Sequence, residues 1–160
     1  MPLSNHELVR EFHDHFSIPL ADKPTLLLAE IDEPAAGQTG RLLHELERTI
    51  RDRRRHDDVL WGRVQMMLEE LREFVGAHEV GDLAAAADSL VDLEYFLHGT
   101  AAMMGLPHDE IFAEVHRANM QKIRVRSADE SKRLNKLDVR KPADWQPPDV
   151  VGILRARGGL

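Results

Sequence analysis

The sequence that decides the fold is a pair of segments, 58–77 (DVLWGRVQMMLEELREFVGA) and 82–104 (DLAAAADSLVDLEYFLHGTAAMM). Apolar side chains recur every three to four residues in both segments, which predicts two helices joined by a tight connection. Gly105 is a typical stop for the second helix, and Pro107 can begin a further helix that ends near Ile123. The stretch therefore predicts a helical core.

The residues before this core also favour helices. Ser4 and Glu7 have the spacing of a capping box, which predicts a helix over residues 5–16. Prolines then punctuate an irregular stretch up to about Gly40. A second periodic pattern predicts a helix over residues 41–55.

Beyond Arg124 the helical pattern weakens, and prolines indicate an extended tail with a short helix after Asp149. No alternating pattern of useful length predicts a strand. We therefore expect an all-α fold, a bundle of about five helices. The expected division is residues 1–57 as N-terminal helices packing on the core, 58–123 as the core and 124–160 as the tail.

The amino-acid composition excludes several classes of function. The chain has 160 residues, 42% of them hydrophobic and 31% charged, so it can bury a core. Its net charge of −7 argues against nucleic acid as a partner, and the absence of cysteine excludes disulfides, thiolate metal sites and a cysteine nucleophile. No apolar run is long enough to span a membrane and no signal peptide is evident, so we expect no membrane partner and a cytoplasmic location.

Three carboxylates lie together on the helix predicted from 58. Glu69, Glu70 and Glu73 fall within one arc of about 100°, opposite the main apolar stripe. One interpretation is a solvated polar face. The same arc also contains apolar residues, so the glutamates could instead belong to a second, partly covered face.

The next helix carries two more acids. Asp88 and Asp92 are four residues apart on one face, and small or apolar residues on both sides of this helix predict burial nearly all round. Two buried like charges need a cation, protonation or several donors. Because no Lys or Arg occurs between Val75 and Pro107, we expect a hard metal ion, Mg²⁺ or Mn²⁺.

Three segments together resemble a known family. They are LEELREF at 68–74, DSLVDLEY at 88–95 and EVHRANMQK at 114–122. In this order and spacing they are similar to the all-α nucleoside triphosphate pyrophosphohydrolases, which include the MazG-like proteins, phosphoribosyl-ATP pyrophosphohydrolase and the all-α dUTPases. The resemblance implies a MazG-like fold whose four-helix core is completed by dimerisation, as a homodimer or a dimer of dimers.

The resemblance also implies a reaction. A nucleoside triphosphate would be cleaved between its α- and β-phosphates, releasing a monophosphate and pyrophosphate. The implied metal ligands are the carboxylates of Glu69, Glu70, Glu73, Asp88 and Asp92. Either Glu70 or Glu69 could accept the proton of the attacking water.

Two features depart from the family pattern. Its second motif has an acid three residues before Asp92, where this chain has Ser89, and the acid Asp88 stands one position earlier. Both positions lie on the same side of a helix as Asp92. The segment 34–57 is also longer than is usual in the family and carries an additional helix.

Four further residues are candidates for substrate binding. Lys122 and Arg117 could contact phosphate oxygens, Asn119 could hydrogen-bond to a base edge, and Tyr95 could stack near the sugar. Each has a structural alternative. Lys122 could be a surface charge, Asn119 a helix cap or interface hydrogen bond, and Tyr95 a core residue.

The main hypothesis is a Mg²⁺-dependent pyrophosphohydrolase that clears unwanted nucleotides such as dUTP or another pyrimidine nucleotide. One alternative is a non-catalytic helical dimer that binds a nucleotide or a protein, which the Ser89 departure favours. Another is a related substrate such as phosphoribosyl-ATP. Mg²⁺ binding at the carboxylates would separate the enzyme from the interaction module.

Overall fold

The computed structural model describes residues 3–27 and 33–160, with the side chains of 3–27 and 37–160. These residues form six α-helices, one short 3-10 turn and one two-stranded antiparallel ladder, which confirms the predicted all-α fold class. The helices are α1 Asn5–His15, α2 Glu33–Arg53, α3 Val59–Val80, α4 Leu83–Met103, α5 His108–Met120 and α6 Val150–Ala156. The strands are β1 Ile123–Arg124 and β2 Val139–Arg140, and the 3-10 turn is Ala128–Glu130.

Local capping sets the ends of the central helices. The Asp58 carboxylate accepts a hydrogen bond from the Trp61 backbone N–H at 2.9 Å, which fixes the start of α3. Gly81 ends α3 at a φ of 76°, in the left-handed region that favours glycine. The Asp82 carboxylate then caps α4 through the Ala85 N–H at 3.0 Å. Two consecutive residues, Gly81 and Asp82, thus make the turn that pairs α3 with α4.

The predicted start of α2 is wrong. The helix begins at Glu33, whereas the sequence predicted irregular chain up to Gly40. Proline is tolerated in the first turn of a helix, and single glycines only weaken one, so Pro34 and Gly37 do not end it. Part of the predicted irregular stretch, residues 28–32, lies outside the described residues.

The expectation of no strand is also wrong, although the predicted helix after Asp149 is present as α6. β1 pairs antiparallel with β2, with Ile123 opposite Arg140 and Arg124 opposite Val139. Strands of two residues are too short to show an alternating pattern, so they could not be predicted from the sequence.

The described chain falls into two compact units. In Lys23–Met104, α3 packs against both α2 and α4. In the unit made of Met1–Asp22 and Gly105–Leu160, α5 packs against both α1 and α6. The division predicted from the sequence, at 57 and 123, stays a prediction.

Helix α4 is far more exposed than the sequence predicted. Its buried residues are only Ala86, Ser89 and Ala101, where small side chains allow close packing. Val91 is 62% exposed and Met103 is 60% exposed. The prediction of burial all round is therefore wrong for the single chain, because α3 covers one face of α4 and apolar residues remain at the surface on another.

Among the helices of residues 3–27 and 33–160, none combines the length and the apolar character that crossing a membrane requires.

Candidate functional site

The α3–α4 pair carries the five predicted metal ligands, which we call the carboxylate cluster: Glu69, Glu70, Glu73, Asp88 and Asp92. The glutamates lie on α3 and the aspartates on α4. Glu69 and Glu70 are partly buried, whereas Glu73, Asp88 and Asp92 are exposed. The prediction that the two aspartates lie on a buried side is therefore wrong for the single chain, for the same reason that α4 as a whole is exposed.

Glu70 is the electrostatic centre of the carboxylate cluster. Burial raises the pKa of this carboxyl, and the negative charges of Glu73, Asp92, Glu69 and Asp88 raise it further, in that order. All four other members of the cluster thus act on Glu70 through space. Two helices that are consecutive in sequence bring five like charges into one electrostatic environment, which a cation would stabilise.

The donor chemistry of the cluster suits a hard cation. Mg²⁺ and Mn²⁺ prefer carboxylate oxygens, and the cluster offers only carboxylates. Its geometry is open, however. Within the described part of the chain, no three Asp, Glu or His side chains are arranged closely enough to hold a metal ion together. The cluster therefore fits such an ion by ligand type, and binding would have to draw its side chains inward.

A buried ion pair supports the cluster from α2. The Arg72 Nε donates to Glu47 Oε2 at 3.0 Å, and its Nη2 donates to Glu73 Oε1 at 3.4 Å. Glu47 is only 7% exposed. This chain of contacts orients Glu73 and ties α2 to α3. Glu47 was not predicted as a functional residue, although its place between Leu43 and Ile50 at helical spacing puts it on the apolar side of α2.

Ser89, which replaces the usual motif acid, has a structural contact. Its hydroxyl donates to the Ala85 carbonyl at 2.9 Å, and the residue is 4% exposed. The side chain therefore packs within the helix pair and offers no ligand to a cation. Asp88, one position earlier, is exposed, which leaves it as the second acid of α4.

Gly99 on α4 allows a close approach from α3. A Cβ at this position would lie 2.9 Å from Arg63 Nη2. Arg63 donates from Nε to the Thr100 hydroxyl at 2.9 Å and from Nη2 to the Phe96 carbonyl. This arginine, which the sequence analysis did not single out, fastens α3 to α4 at the end of the pair remote from the connecting turn.

Tyr95 lies on α4 and is 75% exposed, so it is not a core residue of the single chain. The remaining substrate-binding candidates belong to the unit that contains α5. Asn119 is partly buried, and its backbone carbonyl accepts from the Lys122 N–H at 3.0 Å. Lys122 is partly buried just before β1, and burial together with the charges of Lys141 and Arg133 lowers its pKa.

Arg117 has a partner on its own helix. Its Nε and Nη2 donate to the two Glu114 carboxylate oxygens at 2.8 and 2.7 Å. With a further hydrogen bond from the Asp149 N–H, this contact lowers the pKa of Glu114 to about 2. Arg117 thus helps to join α5 to the start of α6, and its predicted phosphate contact would compete with that role.

A comparison with known families finds a match in the middle of the chain. Residues 43–119 match the sequence model of the family phosphoribosyl-ATP pyrophosphohydrolase. The resemblance to the all-α nucleoside triphosphate pyrophosphohydrolases is confirmed. The matched region takes in α3, α4 and most of α5, with every predicted site residue except Lys122. The matched family supports a hydrolase that acts on phosphoric anhydrides.

A solved structure has the same fold. The chain matches the crystal structure of a "putative NTP pyrophosphohydrolase" from Exiguobacterium sp. 255-15 with a TM-score of 0.57 and 22% identity. The match covers 99% of this chain and 98% of the other. At this identity the likeness shows the fold alone. No curated protein matches the chain.

Proposed function

We propose that this protein is a Mg²⁺-dependent nucleoside triphosphate pyrophosphohydrolase, with Mn²⁺ as a possible substitute for the metal. Water and a nucleoside triphosphate would give a nucleoside monophosphate and pyrophosphate. The observation that carries this proposal is the carboxylate cluster, in which four neighbouring acids act on the partly buried Glu70. The match to the phosphoribosyl-ATP pyrophosphohydrolase family supports the reaction type.

The five carboxylates would hold the metal. A bound divalent cation supplies charge neutralisation of the phosphates and a more acidic water. In this proposal the chain itself accepts the proton of the attacking water, through Glu70 or Glu69. Burial and neighbouring negative charge raise the pKa of Glu70, which makes this carboxylate a stronger base than an ordinary glutamate. Arg72 keeps Glu73 oriented through its contact at 3.4 Å.

Each unit carries candidate substrate-binding groups, one on α4 and three on α5 or just beyond it. In this proposal Lys122 and Arg117 contact phosphate oxygens, Asn119 hydrogen-bonds to a base edge such as that of uracil, and Tyr95 stacks near the sugar. The exposure of Tyr95 supports access to a ligand, because 75% of the residue is at the surface of the single chain.

A second copy of the chain is the proposed partner. Leu90, Val91, Leu97 and Met103 leave apolar area exposed on α4, the helix that carries Asp88 and Asp92. Apolar surface of this kind on a small protein is typical of an interface. A homodimer would cover it, desolvate Asp88 and Asp92, and thereby increase their need for a cation. Sedimentation measurements would show a mass of about two chains, or of four for a dimer of dimers.

Turnover with a substrate panel tests the proposal. The purified protein is incubated with individual nucleoside triphosphates, deoxynucleotides and dUTP included, in Mg²⁺, and the products are separated. We expect equal amounts of monophosphate and pyrophosphate, and no products after EDTA. No turnover of any nucleotide by folded, Mg²⁺-supplied protein would contradict it.

Two alternatives have support of their own. The family match favours phosphoribosyl-ATP as a substrate, so this compound belongs in the panel. The contact of Ser89 with its own helix favours a non-catalytic binding module, because the position provides no metal ligand. A module without catalysis would have no reason to bind Mg²⁺ at the cluster.

A further inference from the structure

A basic cavity lies beside the two-stranded ladder. It has a volume of about 410 Å³, within the range of about 300–1,000 Å³ typical of ligand pockets. We call it the hairpin cavity. Five cationic side chains line it: Lys122, Lys132, Arg133, Arg140 and Lys141. Two acids, Glu130 and Asp138, share this lining, so cations are in excess.

Both acids already have partners. Asp138 accepts hydrogen bonds from the Ser131 hydroxyl at 2.7 Å, the Val139 N–H at 2.9 Å and Arg133 at 3.0 Å. Glu130 accepts from the Arg126 N–H at 3.1 Å and lies 3.6 Å from the Arg140 Nε. These contacts fix the loop between the strands and neutralise the two arginines.

The three lysines are not neutralised in this way. Within residues 3–27 and 37–160, no carboxylate lies within salt-bridge distance of Lys122, Lys132 or Lys141. The Lys141 ammonium instead lies over the Trp145 ring, 4.0 Å from its centroid. Among the described residues these three positive charges thus have no ion-pair partner, although the charge of Asp138 acts on Lys122 through space, in a chain whose net charge is −7.

The ladder places two of these lysines against each other. Its register, extended by one residue beyond the Ile123–Arg140 pair, sets Lys122 opposite Lys141. Like charges directly opposite on paired strands are destabilising. Lys122 is also partly buried, and burial followed by the charges of Lys141 and Arg133 lowers its pKa. A bound anion would relieve both the repulsion and the burial of charge.

We propose that the hairpin cavity binds the phosphate chain of a diphosphate or triphosphate. Lysine ammonium groups act as strong point charges toward phosphate oxygens, and three uncompensated lysines match an anion with several charges. The proposal extends the predicted phosphate contact of Lys122 to Lys132 and Lys141. It rests on the cavity's own residues and does not require catalysis at the carboxylate cluster.

Binding in EDTA tests the proposal without turnover. Inorganic pyrophosphate and an α,β-imido dUTP analogue are each titrated into the full chain by calorimetry. We expect saturable binding that weakens with added salt. Lys122→Gln and Lys141→Gln should each weaken it at least about tenfold, the effect of losing one charge-assisted hydrogen bond. Lys136→Gln is the matched control, because Lys136 is an exposed lysine of the same loop that does not line the cavity.

A spectroscopic signal locates the anion. In a Trp61→Phe background Trp145 is the remaining tryptophan of the chain, so its fluorescence should change as pyrophosphate draws Lys141 from the ring. Thermal unfolding separates binding from folding. Lys122→Gln should keep or raise the melting temperature of the free protein, because it removes a repelled charge.

The arms separate the source of the phosphate chain. Binding of pyrophosphate would show that two linked phosphates suffice for binding. Binding of the dUTP analogue alone would show that the phosphates must belong to a nucleotide. Either result supports the proposal if Lys122→Gln weakens the binding. No binding of either compound, or equal weakening by Lys136→Gln, would overturn it. Binding of pyrophosphate without hydrolysis of any nucleotide would refute the proposed function but would still support phosphate binding in the hairpin cavity.

Discussion

The carboxylate cluster and the hairpin cavity carry opposite charges, and in each of them charges of one sign are in excess. The cluster joins three glutamates of α3, where Arg72 contacts Glu73, to two aspartates of α4, in a stretch from Val75 to Pro107 that lacks Lys and Arg. The cavity gathers five cations around two acids that are already paired. The net charge of −7 is a sum over the whole chain, so it reveals neither the acidic cluster nor the basic cavity. Uncompensated charge of one sign destabilises a folded chain, so each region indicates a ligand of the other sign.

The largest expected effect comes from the centre of the acidic region. Glu70→Gln should lower turnover by about 10²–10⁴-fold, because it removes the proposed proton acceptor and one metal ligand. The matched control is Glu79→Gln, an exposed acid farther along α3. Steady-state kinetics with circular dichroism should show lost activity and an intact helical fold. Equal activities of the two variants would remove the carboxylate mechanism.

A second substitution tests what supports the cluster. Glu47→Gln should lower the free energy of unfolding by about 1–3 kcal/mol, because the amide removes the buried negative charge that pairs with Arg72. It should also reduce activity, since Glu73 loses the orientation that Arg72 provides. Urea unfolding measures the first effect, with exposed Glu45→Gln as the control. Equal free energies of unfolding for the two variants would show that the ion pair between Glu47 and Arg72 does not stabilise the fold.

A pH dependence tests an anchor in the unit that contains the cavity. The pKa of Glu114 falls from its ordinary 4.5 to about 2 because Arg117 and the Asp149 N–H donate to it. A lowered pKa gives stabilisation that is present above 4.5 and lost as pH falls toward 2. Wild type should therefore exceed Glu114→Gln in stability at neutral pH, and the difference should shrink across that window. A difference that stays constant from pH 6 to 2 would contradict this.

The smallest expected effect concerns the fastening of α3 to α4. Gly76→Ala should stabilise by about 0.5–1 kcal/mol, because alanine favours a helix and nothing lies within 4 Å of its Cβ. Gly99→Ala should gain less, since its Cβ would displace Arg63. Unfolding of both variants isolates the Arg63 contact. An equal gain at the two positions would mean that the contact contributes no stability.

The sequence was most informative where local chemistry decides the structure. The helical periods of α3 and α4, the capping box at Ser4 and the stops at Gly81 and Gly105 each depend on neighbours within one turn. The five acids could be assigned to neighbouring helices for the same reason. The spacing of residues along a helix determines which of them share a face, and a short turn places two consecutive helices side by side.

The features that could not be predicted from the sequence depend on residues far apart in the chain. The exposure of α4 is decided by what covers its second face, and no periodicity contains that information. Glu47 was hidden because its partner Arg72 is 25 residues away. The hairpin cavity joins Lys122 to Lys141 through strands of two residues, which leave no pattern. In each case the missing signal is tertiary.

Binding of Mn²⁺, followed by electron paramagnetic resonance, tests most directly whether the acidic region is a cation site. The metal-free protein is titrated with Mn²⁺, and the free-ion signal is measured for wild type, Asp92→Asn and Glu94→Gln. Glu94 is the control because it is an exposed acid on the same helix that lies 3.6 Å from His98 and outside the cluster. We predict saturable binding by wild type and Glu94→Gln, and strongly weakened binding by Asp92→Asn. Equal binding by the two variants, or no binding by wild type, would contradict the account.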